Sequence, residues 1–170
     1  THQSTTPYFK NISYEFLMYI QQEREPHAED PIFVKELVHY EWIEIYLTFA
    51  DIELDMTHID ATGDLLTGVP VLSPLAQMQS YSYPVHKIGP GFQPDQPSKQ
   101  PTFLMIYRNT QDKVSFMELN PISAMLVELV QNESPKTGQQ LLDSRFPAFG
   151  SQAGLFEFGE QPVMALAESR

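Results

Sequence analysis

Apolar positions recur at helical spacing through residues 12–50 and again beyond residue 120, while between residues 77 and 119 they alternate or run continuously. The first stretch predicts helices. Ser13 is placed to cap a short helix carrying Phe16, Leu17 and Ile20, which Arg24-Glu25-Pro26 interrupts. Asp30-Pro31 sets a capping side chain before a proline, so a second and longer helix is expected to start there. Its Val34, Leu37, Val38, Ile45 and Phe49 share one face, and Phe33, Tyr40, Trp42, Tyr46 and Leu47 fill much of the rest. A helix apolar nearly all round is buried on several sides.

Residues 51–76 read as a connector. Asp51, Glu53, Asp55, Asp60 and Asp64 crowd its first part, and Gly63, Gly68, Pro70 and Pro74 break any regular element. Strands are expected next. Tyr81, Tyr83 and Val85 alternate with Ser82 and Pro84, and a loop rich in Gly and Pro runs from Gly89 to Pro101. Thr102–Arg108 is apolar on both faces, Asn109–Lys113 is a polar turn, and Val114–Leu119 returns as its hairpin partner. Three helices complete the pattern. Asn120-Pro121 starts the first, with Ile122, Leu126, Leu129 and Val130 as its core stripe. Thr137 opens the second with Gln140 in a capping box, and Leu141 and Leu142 bury it. The third carries Val163, Met164, Leu166 and Ala167 behind Pro162.

The expected class is α+β: a helical unit with an acidic connector over 1–76, then a small antiparallel sheet and three C-terminal helices over 77–170. Hydrophobic residues make up 42% of the 170, enough for one core of ordinary size. The start at Thr1 and the uncapped helical pattern at Arg170 read as the ends of a piece of a longer protein.

Charge removes several functions. Ten basic residues face twenty-two acidic ones, a net −12, with no basic cluster to neutralise a phosphate backbone. Neither nucleic acid nor an anionic membrane surface suits such a chain, whereas a basic partner surface does. The chain holds no cysteine, which excludes disulfides and zinc ribbons and suits a cytoplasmic protein. No run of about 20 apolar residues is present to span a membrane.

Candidate chemistry is sparse. Glu36-x-x-His39 has the spacing of a helical iron ligand pair, but no second pair accompanies it, so a helix face is the better reading. The Asp51–Asp64 stretch lacks the glycine and glutamate of a calcium loop, which would fall at Met56 and Thr62. Glu41 falls inside the apolar stripe and is expected to be a hydrogen-bonded core carboxylate, or else to face a partner. His86 stands without a nucleophile or an acid at triad spacing. No catalytic residue, metal site or cofactor is expected.

Four segments together carry a resemblance: Tyr40-Glu41-Trp42, Gly68-Val69-Pro70-Val71-Leu72-Ser73-Pro74, Tyr83-Pro84-Val85-His86-Lys87-Ile88 and Met117-Glu118-Leu119-Asn120-Pro121. In this order they resemble the HvfC-type family, and Thr6-Pro7-Tyr8-Phe9 is similar to the joint that follows that family's N-terminal domain. That domain, often labelled DNA-binding, is not in this sequence. The resemblance implies a bacterial accessory protein of ribosomal-peptide maturation. It would bind a precursor peptide and a multinuclear iron-dependent oxidative enzyme, without performing the oxidation. It also implies a winged-helix-like peptide recognition element, in which the third strand and third helix form the groove. Carried onto this chain, the peptide site would comprise Val114, Phe116, Met117 and Glu118 with Val163, Met164 and Ala167 as the second wall. Glu41, Trp42 and His86 would face the partner. A transcriptional or DNA-binding regulator, its DNA contacts lying in the absent domain, is the alternative. A stand-alone enzyme is disfavoured by the lack of a catalytic constellation.

Overall fold

A computed structural model of the chain describes residues 4–60, 62–145 and, as backbone, 164–167. Its helices are α1 (Phe9–Met18), which continues as a π-helical turn to Glu23, α2 (Val34–Phe49), α3 (Pro121–Glu133) and α4 (Gly138–Arg145). Its strands are β1 (Ile59–Asp60), β2 (Val69–Leu72), β3 (Ala76–Tyr81), β4 (Thr102–Arg108), β5 (Val114–Leu119) and β6 (Met164–Ala167). Among the described residues, no helix is long and apolar enough to cross a membrane.

The double-sided apolar run Thr102–Arg108 decides the architecture. It forms β4, the middle of an antiparallel sheet ordered β3-β4-β5. Side chains alternate across a strand, so Leu104 and Ile106 join Ile43 and Leu47 of α2 in one core. Met105 and Tyr107 join Leu126, Val127 and Val130 of α3 and Leu141 and Leu142 of α4 in another. The sheet therefore lies between α2 and the α3–α4 pair. The mixture of helices with a small three-stranded antiparallel sheet is the expected one.

Local signals fix several joints. Asn120 caps α3, its Oδ1 accepting from the Ser123 amide at 2.9 Å, with Pro121 in the first turn. The capping box forms: Gln140 Oε1 accepts from the Thr137 amide at 2.9 Å and Thr137 Oγ1 from the Gln140 amide at 3.3 Å. In the β4–β5 turn, Asn109 Oδ1 accepts from the Gln111 and Lys113 amides, and Asp112 takes a positive φ of 57°. Arg108, on the α2 face of β4, closes the end of α2 by donating to the carbonyls of Leu47 and Ala50 at 3.3 and 2.9 Å. Those oxygens have no partner within their own helix.

Six expectations are corrected. The first helix begins at Phe9, so Ser13 lies within it instead of capping it. The second begins at Val34, because the Asp30 carboxylate is held by Arg24 and the His27 amide and is not free to cap. The face of α2 that is buried is Ile43 and Leu47, with Tyr40 and Leu37 beside them, while Phe49 is exposed. The connector contributes strands β1 and β2, and residues 83–87 turn through a 3-10 helix (Val85–Lys87) instead of extending β3. The third C-terminal helix does not form over Met164–Ala167. That segment is β6, pairing antiparallel with β2 (Val69↔Ala167 to Leu72↔Met164) and with β1 (Ile59↔Ala167). A short apolar run satisfies either period, and two strands waiting for a partner decide it.

The start of α4 shows how tightly the connector is held. The amides of Gly138 and Gln139 donate to the carbonyls of Gly68 and Leu66 at 3.1 and 2.8 Å, so the helix end is satisfied by loop backbone. A Cβ on Gly138 would sit 2.1 Å from the Leu65 carbonyl oxygen. Gly138→Ala is expected to cost about 1–3 kcal/mol by overpacking. Gly91→Ala, with nothing within 4 Å of its added carbon, should leave the urea midpoint nearly unchanged.

Candidate functional site

β5 is an edge strand. It pairs only with β4 among the described residues, from Phe103↔Leu119 to Arg108↔Val114. Its two faces differ. Ser115, Met117 and Leu119 turn toward the α3–α4 side, where Leu119 is buried and Met117 partly so. Val114, Phe116 and Glu118 turn toward α2. Phe116 stays 37% exposed although its ring lies 5.1 Å from that of Tyr40. Glu118 Oε2 accepts from Lys87 Nζ at 3.1 Å and meets His86 Nε2 at 3.2 Å. The Lys87 hydrogen bond is the main cause that holds the Glu118 carboxyl below the usual glutamate range.

α2 clasps the segment that carries His86. The two carboxylate oxygens of Glu36 accept from the amides of Ser82 and Tyr83, both at 3.0 Å. One turn on, His39 Nδ1 is 3.1 Å from the Tyr81 hydroxyl. Burial lowers the His39 pKa, which favours its neutral form, and raises that of Tyr81 well above its ordinary value. The Glu-x-x-His spacing is thus a backbone clamp. Both side chains point at the Tyr81–Tyr83 turn, which in turn aims His86 and Lys87 at the end of β5.

The match to known proteins covers this same region. The HvfC C-terminal domain model matches residues 73–167, more than half of the chain. The chain belongs to the HvfC C-terminal domain family. A comparison with curated proteins finds no match. Within the matched span, two of the segments that carried the resemblance, Tyr83–Ile88 and Met117–Pro121, are the ones the HvfC fold joins through Glu118. Tyr40-Glu41-Trp42 lies before the matched span and touches it through Tyr40, whose ring packs on both Tyr81 and Phe116.

The expected site residues therefore separate. Val114, Phe116, Met117 and Glu118 stand together on β5. Met164 and Ala167 belong to β6, in the other sheet, so the helical second wall is overturned. Val163 lies outside the described residues. Trp42 is half-buried on the far side of α2 from β5, in a row with Tyr14 and Tyr46 at ring separations of 5.7 and 5.4 Å. These rings line a groove of about 410 Å³ that Asn11, Phe49 and Asp51 also border. His86 is largely covered, and its buried Nδ1 finds no hydrogen-bond partner among the described residues.

Glu41 is the clearest correction. It is exposed, not a core carboxylate, because α2 turns Ile43 and Leu47 inward and Glu41 away. Partial desolvation, and then the charge of Glu44, raise its pKa. The clamp residue Glu36 and the helix-closing Arg108 were not legible as such. Their partners are backbone groups 46 and 61 positions away.

Stability should separate the two glutamates. Glu36→Ala strands two backbone donors and is expected to cost about 1–3 kcal/mol. Glu41→Ala should stay within about 0.5 kcal/mol, as exposed substitutions do. Chemical denaturation of both variants reads the difference. Carboxyl NMR should find Glu118 titrating below the ordinary glutamate value, and Lys87→Met should move the midpoint up. Because the folded-state pKa is the depressed one, the pair supports the fold at neutral pH and is lost as pH falls through the Glu118 titration.

Proposed function

We propose that this chain is a non-catalytic accessory subunit that binds a ribosomal precursor peptide. It presents that peptide to a multinuclear iron-dependent oxidative enzyme. Family membership supports the setting, and one observation carries the peptide site: β5 is an edge strand open among the described residues, with a half-exposed aromatic on it. An extended peptide adds to such an edge through backbone hydrogen bonds, and neighbouring side chains select its sequence. Val114, Phe116 and Glu118 would read one face of the added strand and Met117 the other, in the manner of the winged-helix-like recognition elements. Asn120 and Pro121 end β5 and start α3, so the edge is short and its register defined.

The oxidising partner would meet the α2 surface that carries Glu41 and Trp42, with His86 setting the edge from beneath.

A benzoylphenylalanine placed at Phe116 tests the site with the precursor encoded in the native operon. Irradiation should join the peptide to this position and not to the same group at Tyr46. Cross-links at Tyr46 alone would move the peptide to the α1–α2 groove. The regulator reading has its own test. With a net charge of −12, the chain should show no salt-sensitive duplex-DNA shift at about micromolar concentration and physiological salt.

A further inference from the structure

α1 and the end of α2 leave an aromatic groove open to solvent. Trp42, Tyr46 and Phe49 recur at helical spacing along α2, Tyr14 faces them from α1, and residues 50–52 close one end. Tyr14, Tyr46 and Phe49 are 48%, 39% and 52% exposed, even though the rings of Tyr14 and Tyr46 both stand against Trp42. Trp42 itself is partly buried against the core that α2 shares with the sheet, which anchors the row. Contiguous aromatic surface of this kind, bordered by polar groups, marks a contact site. The polar border is an acceptor set. Asp51 is the charged residue of the described lining, and its carboxylate has no ion pair or hydrogen bond among the described residues. Asn11 gives its side-chain nitrogen to Thr6 Oγ1 at 3.5 Å, which leaves its carbonyl oxygen to accept. No lysine or arginine is among the described lining residues.

We infer that this groove is a socket for an arginine of a partner protein, and that the oxidising partner is the protein that fills it. The inference rests on the reading that this partner meets the Trp42 surface of α2, and is independent of strand addition at β5. A guanidinium fits the lining on two counts. It is planar and stacks on aromatic faces, and its five donors suit a carboxylate and a carbonyl at the border. A lysine ammonium is compact and strongly hydrated, so it matches the rings less well. Trp, Tyr and Arg are also the residues that most often anchor one protein on another. A second copy of this chain is a poorer occupant, since it would bring its own net charge of −12.

Trp42 is the only tryptophan in the chain, so its fluorescence reports the groove. The 170-residue chain is screened against a randomised library of short synthetic peptides, and those that change the Trp42 emission are kept. They should share an arginine. Replacing it by citrulline, which is neutral and of the same shape, should weaken binding about tenfold, and replacing it by lysine should weaken binding less. Asp51→Asn, an exposed change, should remove most of the citrulline penalty. Binders that share no arginine, an undiminished penalty in Asp51→Asn, or a library in which no peptide moves the Trp42 emission would overturn the socket. The partner reading has a separate readout. Saturating arginine peptide should block complex formation with the proposed iron-dependent enzyme. A filled groove that leaves this complex intact would overturn the partner reading while the socket chemistry stands.

Discussion

Everything in this fold depends on β4 being buried on both faces. Leu104, Met105 and Ile106 are almost wholly removed from water, and each alternate residue needs its own cover. At about 25 cal/mol per Å² of apolar surface, neither layer is dispensable. α2 covers Leu104 and Ile106, and α3 with α4 covers Met105 and Tyr107. Flanked by β3 and β5, β4 has no free edge, so the exposed edges of the sheet belong to its neighbours. The strand that holds the core together thereby leaves β5, like β3, as an edge where another chain could pair.

The contacts around that edge belong to the same scaffold. Glu36 and His39 hold the turn after β3 by its backbone and by Tyr81, and that turn delivers His86 and Lys87 to Glu118. Arg108, at the far end of β4, closes the last carbonyls of α2. α2 is thus tied to the sheet at both ends by charged groups bonded to backbone, and its apolar middle needs only to be the right size. A helix pinned in this way keeps Tyr40 at a fixed height beside Phe116 of β5. An interaction surface needs that positioning, and side chains on rigid elements supply it.

The sequence made local signals legible and long-range ones obscure. Asn120-Pro121, the Thr137–Gln140 box and the Asn109–Lys113 turn involve residues at most four apart, and each formed as its chemistry requires. The two-faced apolar run of β4 also announced itself. α2 did not reveal its inward face, because a helix apolar nearly all round gives its periodicity no phase. Ile43, which no pattern singled out, is fully buried, and Glu41 lies outside. β6 was hidden for a similar reason. Val163, Met164, Leu166 and Ala167 satisfy a helical spacing in isolation, and only β1 and β2, some hundred positions earlier, make Met164–Ala167 a strand. Of the candidate site, the β5 half was readable from the hairpin. The clamp was not, since Glu36 meets partners that carry no side-chain signature.

The central claim is that β5 takes up an extra strand, and residue-resolved amide exchange by NMR measures this most directly. Within β5, the amides that point toward β4 are already bonded, and the alternate amides point outward. With the proposed precursor peptide bound, the outward set between Val114 and Leu119 should gain protection at every second residue, while the inward set changes little. Protection spread evenly along β5, or gained only on α1 and α2, would contradict strand addition.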